Sequence, residues 1–285
     1  MRRIDGRLPR PRGSGMFFRH MNETEDTQTE PVAPVPPPAP ETEGAKLKTV
    51  LGGGGSAARK YFEVTYGPMP RWKAVLMEIL QLLLCNLPGA LGLFLRSKLY
   101  RPFFGACGRK VAIGRGVTLR HPSKIFLGEG VILDDRSTLD AKGSSNRGIT
   151  LGDGVFVGRN TTIYCKNGDV SLAANVSLSA NVIVFSSNDL AIGEGTMVGS
   201  FSYLLSGGEY DPRSPVPFCR QSGMETKGPL RVGANCWLGA HVTVLDAASS
   251  IGDGAVVGAG AVVVSPIPPR SLALGVPAKV RRTLG

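Results

Sequence analysis

Residues 149–204 read ITLGDGVFVGRNTTIYCKNGDVSLAANVSLSANVIVFSSNDLAIGEGTMVGSFSYL, and their aliphatic residues fall every six positions: Leu151, Val157, Ile163; Leu172, Leu178, Val184; Ile192, Val198, Leu204. A surface helix brings a side chain back to the same face about every 3.6 residues and a plain strand about every 2, so a period of six fits neither. It fits short flat strands joined by tight corners, each strand putting one side chain inside, with three strands to a triangular coil of about eighteen residues. The beat starts at Ile113 and runs through Leu127, Leu133 and Leu139, resumes at Val232, Leu238 and Val244, and closes with Ile251, Val257 and Val263. Small residues stand behind many of these, as at Gly128, Gly152, Gly193, Gly233 and Gly252, and let the chain turn at little steric cost. Successive triplets lie farther apart than a bare coil requires, which places a few extra residues at one corner. The pattern predicts an all-β solenoid, a parallel β-helix whose coils bury their apolar face only by stacking on one another. Periodicity leaves its hand open, since the general crossover rule for sheets favours the right.

The chain has 285 residues, 42% of them hydrophobic, enough for a sizeable core. Its net charge of +11 is uneven. Residues 1–60 carry ten basic and seven acidic groups, residues 61–110 seven and two, and the remainder sixteen and thirteen, so the middle segment is the basic one. Five cysteines (Cys85, Cys107, Cys165, Cys219, Cys236) form no CxxC pair, and the odd count argues against a closed disulfide set. A reducing cytoplasm is expected, with Cys165 and Cys236 acting as small buried hydrophobes.

Residues 1–60 combine charged runs, the proline tract Pro31–Pro40 and the glycines Gly52–Gly55, a composition that cannot bury enough apolar surface to order itself; a disordered tail is expected. No apolar core follows Arg2 and Arg3, so a secretory signal is not expected, and Met16 or Met21 could serve as the start. Ala74–Leu84 is a dense apolar run broken only by Glu78 and Gln81; Asn86, Pro88 and Gly89 then interrupt it before a second run, Ala90–Leu95. Basic residues flank the pair, Arg71 and Lys73 about Trp72 in front and Arg96, Lys98 and Arg101 behind, with Tyr100 among them. A spanning helix would need about twenty uninterrupted apolar residues, against which Glu78, Asn86 and Pro88 count. Two compatible readings remain: a helical cap on the open end of the solenoid, and a helical hairpin in the membrane interface over 71–104. The expected organisation is a tail over 1–60, a helical segment over 61–110, the solenoid over 111–265 with a protruding loop at 206–228, and a C-terminal tail over 266–285.

The hexad array, the excursion at Ser206–Gly228, and then Cys236-Trp237-Leu238-Gly239-Ala240, Val257-Gly258-Ala259-Gly260 and Gly275-Val276-Pro277-Ala278-Lys279 in that order are similar to the left-handed β-helix (hexapeptide-repeat) acyltransferases. Within that family the likeness is greatest to the maltose and galactoside O-acetyltransferases and the exopolysaccharide acetyltransferases. It covers roughly residues 111–285 and supplies the left hand of the helix. The resemblance implies a homotrimer that holds acetyl-CoA in a groove between adjacent solenoids, with an acceptor hydroxyl attacking the thioester directly and no metal. Ala240 and Ala259 match positions whose backbone lines the pantetheine, Lys279 and Arg282 match basic positions near the CoA phosphates, and Ser179 and Asn181 match the acceptor-contacting region. A rigid row of backbone amides and a basic tail suit an anionic cofactor.

One position departs from the pattern. Where the family carries a histidine general base, gap-free counting from Ile192-Gly193 reaches Glu209, within Ser206-Gly207-Gly208-Glu209-Tyr210-Asp211. A base works best with a pKa near the working pH, and a free glutamate titrates near 4.3, so Glu209 would need burial to act. Glu209 as base, as acceptor-binding residue and as a solvated loop charge all stay open. His241, beside Ala240, and His121, before Pro122, are weaker candidates.

Two functions from different classes follow. The first is acetyl transfer from acetyl-CoA to a hydroxyl of a sugar or glycan, in the cytoplasm or at the inner face of a membrane. The second is a catalytically silent solenoid that binds a ligand or partner. A zinc hydratase would need three converging histidines, and the solenoid has two, far apart in sequence. Nucleic-acid binding is not expected, because the basic excess lies beside apolar residues and not in a groove interleaved with aromatics.

Overall fold

The computed structural model describes residues 56–208, 210–221 and 225–285. The sextet residues all point inward: Leu151, Val157, Ile163, Leu172, Leu178, Val184, Ile192, Val198 and Leu204 are buried. Each belongs to a strand of two to four residues, and each strand pairs in parallel with the equivalent strand one coil away. Three sheets result. Sheet A has seven strands, from Ala106–Cys107 to Ser250–Ile251; sheet B has nine, from Ala112–Ile113 to Lys279–Thr283; sheet C has seven, from Thr118–Arg120 to Val262–Val263. The chain runs A, B, C in every coil, so a turn of the solenoid is one strand from each face and the core is the column they enclose. The expected β-solenoid is the fold observed.

The first strand, Ala106–Cys107, lies ahead of the point where the beat becomes audible. Cys107 stands in register with Leu127, so the inward position of that strand is held by a residue that no aliphatic pattern would register. The extra residues sit at the corner from sheet C to sheet A, where the chain runs from Asp140 to Ile149 and, most widely, from Ser206 to Leu230.

Corners from sheet B to sheet C are uniform. Asn160, Asn181, Phe201 and His241 occupy the left-handed region there, with φ of 56°, 59°, 61° and 56°. Asparagine adopts that conformation at small cost; a phenylalanine does so rarely. Gly199 and Gly239 are needed for another reason: a Cβ on either would come within 2.6 Å of the amide nitrogen of Ala240 or Ala259 in the next coil.

Among the described residues three α-helices precede the coils: α1, Ala57–Tyr66; α2, Arg71–Leu84; and α3, Gly89–Leu99. They cover the first coil. Cys85 O accepts from Gly116 N at 2.8 Å, and Thr65 O accepts from His121 N at 2.8 Å. Arg96 and Tyr100, grouped by sequence with the basic flank of the apolar runs, do not face solvent: both are buried. The Arg96 guanidinium donates to Leu84 O, Leu87 O and Ile113 O at 2.9, 2.7 and 2.9 Å, so it caps the end of α2 and ties it to the solenoid. Among the described residues no helix is long and apolar enough to cross a membrane. The expectation of a disordered tail falls, up to residue 55, outside the described residues.

Residues 266–285, expected as a tail, form a hairpin. Ser271–Leu274 continues sheet B in parallel beside Val256–Val257, and Lys279–Thr283 returns antiparallel to it. Its turn folds onto the last coil, with Val262 N donating to Gly275 O at 3.1 Å and Ala278 N to Val262 O at 2.8 Å.

Candidate active site

The corner between sheets B and C forms a ridge along the solenoid. Residue trios Ser179-Ala180-Asn181, Gly199-Ser200-Phe201, Gly239-Ala240-His241 and Gly258-Ala259-Gly260 follow one another there, because the strands before them pair in register. Each left-handed residue donates its amide to the middle residue of the coil before: Asn181 to Arg159 O at 2.8 Å, Phe201 to Ala180 O at 3.2 Å, His241 to Ser200 O at 2.9 Å, Gly260 to Ala240 O at 2.9 Å. A ladder of this kind fixes the backbone and leaves little freedom for the groups along it.

Four residues singled out from sequence thus meet on one ridge. Ser179 and Asn181 stand at one point of it, and Ala240 and Ala259 lie two and three coils farther on, roughly 10 and 14 Å away at the usual strand spacing. The Ser179 carbonyl accepts from Thr161 Oγ1 at 2.6 Å, and Asn181 Oδ1 accepts from Asn160 Nδ2 at 3.3 Å, so the asparagine is oriented by its neighbour. Ala240 is half-buried and Ala259 exposed. Lys279 and Arg282 follow at the same end, exposed on the last strand of sheet B in register with Leu274 and Leu272. The ridge therefore runs from polar side chains, past small residues, to a basic end.

The long loop leaves from a different corner. It starts after Tyr203–Ser206, a four-residue strand of sheet C about 13 Å long, so within one chain its root and the ridge lie across that sheet. Glu209 lies outside the described residues. Its neighbour Gly207 donates its amide to the carboxylate of Asp246, which is 1% exposed. The same carboxylate accepts from Lys227 N at 2.5 Å and Thr226 Oγ1 at 3.2 Å. Asp246 grips both feet of the loop. Between them Gln221 ties the loop to itself, accepting from Asp211 N at 2.9 Å and donating to Val216 O at 2.8 Å.

Beside the loop root, Phe185 packs against Tyr164 with ring centroids 4.6 Å apart, and Gly208 lies against the Phe185 ring. Burial and the neighbouring Tyr203 hold the Tyr164 phenol well above the ordinary range. Sequence reasoning missed Asp246 and this aromatic group. A signal for the first was present: an acid following Val244-Leu245, at a corner otherwise made of small residues.

Each solenoid histidine packs against a neighbouring group. His241 stacks on Phe201 at 5.0 Å with planes 6° apart. His121 sits against α1, its Nε2 3.3 Å from Glu63 O, and burial lowers its pKa. None of the five cysteines is in a disulfide, and burial pushes the Cys165 thiol up to about 12. Among the described residues no group of three or more His, Cys, Asp or Glu could hold a metal ion.

The fold and ridge define a parallel β-solenoid of hexapeptide repeats, and residues 229–265 match the family model described as the hexapeptide repeat of succinyl-transferase. Among curated proteins, a putative acetyltransferase of Staphylococcus aureus (strain COL) is 38% identical over 126 residues, which is 39% of this chain and 63% of that protein. Galactoside O-acetyltransferase of Escherichia coli (strain K12) is 29% identical over 137 residues, 47% of this chain and 64% of that one. The chain thus spans less than two thirds of the length of either relative. A solved N-acyltransferase, AntD from Bacillus cereus in complex with dTDP and 3-hydroxybutyryl-CoA, superposes with a TM-score of 0.48 at 18% identity over 67% of this chain and 88% of that one. The resemblance to hexapeptide-repeat acyltransferases stands on the family-model match and the curated relatives.

Proposed function

We propose that the protein is a CoA-dependent O-acyltransferase that moves an acetyl group from acetyl-CoA to a hydroxyl of a sugar or glycan, in the cytoplasm at the inner face of a membrane. The observation that carries this is the ridge, which sets Asn181, Ala240, Ala259 and the basic hairpin in one line. In this reading the pantetheine arm lies along the backbone of Ala240 and Ala259, the phosphates meet Lys279 and Arg282, and the thioester reaches the acceptor hydroxyl beside Ser179 and Asn181. Relatives named as acetyltransferases support it.

The acceptor hydroxyl must lose its proton as its oxygen attacks the thioester carbonyl; the tetrahedral intermediate then expels the CoA thiolate, which takes up a proton. Glu209 is the base in this scheme. Because the loop root and the ridge of one chain are separated by the width of sheet C, the Glu209 that serves a given ridge comes from a neighbouring copy in this reading, and the resemblance to the hexapeptide-repeat acyltransferases implies that the copies form a homotrimer. The outer row of sheet B supports such an interface: Ile132, Phe156, Ser177, Met197 and Trp237 stand side by side, with Met197 55% and Trp237 60% exposed.

Replacement of the family's histidine by Glu209 favours one competing reading, a silent scaffold. Titration calorimetry of acetyl-CoA into the protein, with acetyl transfer to a panel of sugars by wild type and Glu209→Gln, separates the two. Binding at about one site per chain with turnover that falls at least 100-fold in the variant is the expected result. Absence of binding would sink the acyltransferase, and binding without any transfer would leave the scaffold.

A further inference from the structure

Helices α2 and α3 turn one side to the solenoid and another to solvent. Inward go Ala74, Met77, Leu84, Gly92 and Arg96. Outward go large apolar side chains: Trp72 is 66% exposed, Leu82 85%, Leu83 64%, Leu91 63% and Phe94 58%. Soluble monomers rarely leave so much contiguous apolar surface uncovered.

Charge around this surface has one sign. From Gly67 to Gly128 the chain contains a single acidic residue, Glu78, and its carboxylate accepts from the hydroxyls of Tyr61 at 2.5 Å and Tyr66 at 2.7 Å, Tyr66 being buried. Glu78 is thereby spent on the α1 contact. The basic groups face out beside the apolar ones: the Lys73 ammonium lies 5.7 Å from the Trp72 ring centroid and that of Lys98 lies 5.9 Å from the Phe94 ring, with Arg71 exposed at the start of α2. A protein partner would have to supply acids against an apolar surface; an anionic bilayer offers both an acyl boundary and a negative headgroup layer in one plane.

We infer that α2 and α3 seat this protein on an anionic lipid bilayer, with Trp72, Leu82, Leu83, Leu91 and Phe94 at the acyl boundary and Arg71, Lys73 and Lys98 among the headgroups. At fourteen and eleven residues the helices lie in the interface and do not span it. The inference deepens the membrane placement in the proposed function by naming its chemistry and its residues, and it holds or fails independently of acyl transfer. The docking end is the first coil, and the basic hairpin is at the other end of the solenoid.

The test is flotation of the full chain with vesicles of phosphatidylcholine alone or of phosphatidylcholine mixed with anionic phosphatidylglycerol, at low and high salt. Wild type is expected to float at least tenfold more with the anionic vesicles, less so in high salt, while the double variant Leu82→Glu/Phe94→Glu stays in the soluble fraction with an unchanged melting temperature. Lys73→Ser/Lys98→Ser, which leaves the leucines in place, is expected to lose the preference for anionic vesicles. Wild type remaining soluble with both vesicles overturns the inference. So does a change of oligomer mass in the glutamate variant with flotation intact, which would show that a second copy covers the surface. Acetyl-CoA binding measured on the same samples reports separately on the acyltransferase reading.

Discussion

Asp246 holds the long loop by three hydrogen bonds, two of them to amides that begin and end the excursion from the coils. Asp246→Ala leaves the buried Gly207 amide without an acceptor and frees the part-buried Lys227 amide, and is expected to cost roughly 1–3 kcal/mol. The loss should concentrate in the loop: limited proteolysis between residues 206 and 228 accelerates while amide exchange in the strands of sheet A stays slow. Uniform acceleration of exchange would mean that Asp246 supports the whole solenoid and not the loop. Cys165 gives a pH dependence at the same scale. Its thiol is held near 12 in the folded protein and titrates near 8.5 when unfolded, so the unfolded chain loses the proton first, and stability falls as pH rises from about 8.5 towards 12. Denaturant titrations at pH 7 and pH 10 should show the fall, and Cys165→Val should reduce it. In the native protein at pH 8, iodoacetamide should label exposed Cys219 and spare Cys165 and Cys236. The interior role of those two cysteines was legible in sequence from their place in the repeat; the role of Asp246 was not, because its partners lie about twenty and forty residues away.

Helices α2 and α3 are joined by a break that the sequence announced, with Asn86, Pro88 and Gly89 between two apolar runs. What it could not announce is that Arg96, one more cation in a basic stretch, turns inward to cap α2 and to hold Ile113 O in the first coil. Arg96→Met keeps the stem and removes five donors. It is expected to lower stability by about 2 kcal/mol, seen as a lower melting temperature of the helical circular dichroism signal. An unchanged melt would assign the cap to packing alone. The C-terminal hairpin was hidden for a related reason. Lys279–Thr283 is exposed at every position, so no alternation of apolar and polar residues marks it as a strand; pairing with Ser271–Leu274 makes it one.

Across the whole molecule, the ridge and the loop root of one chain are separated by the width of sheet C, and the assembly proposed above is tested at this scale. Under the proposed assembly, Met197→Glu/Trp237→Glu, which places charge in the exposed row of sheet B, is expected to yield monomers by sedimentation velocity, with the proposed acetyl transfer reduced at least 100-fold because each site then lacks a neighbour's Glu209. A monomeric variant that retains full activity would place the whole site within one chain. The solenoid was legible in the residue order alone. Each inward side chain is specified by a six-residue rule that needs only its own strand and the corners beside it, and a parallel stack satisfies all of them at once. Residue order also fixed that of the small and basic residues along the ridge, since in-register coils turn sequence order into spatial order. Three-dimensional packing was needed to show which corner carries the loop relative to the ridge, which carboxylate clamps it, and which face of α2 and α3 is left uncovered. Those outcomes depend on contacts between residues many coils or helices apart, where hydrogen-bond satisfaction and burial choose among arrangements that the local pattern leaves equivalent.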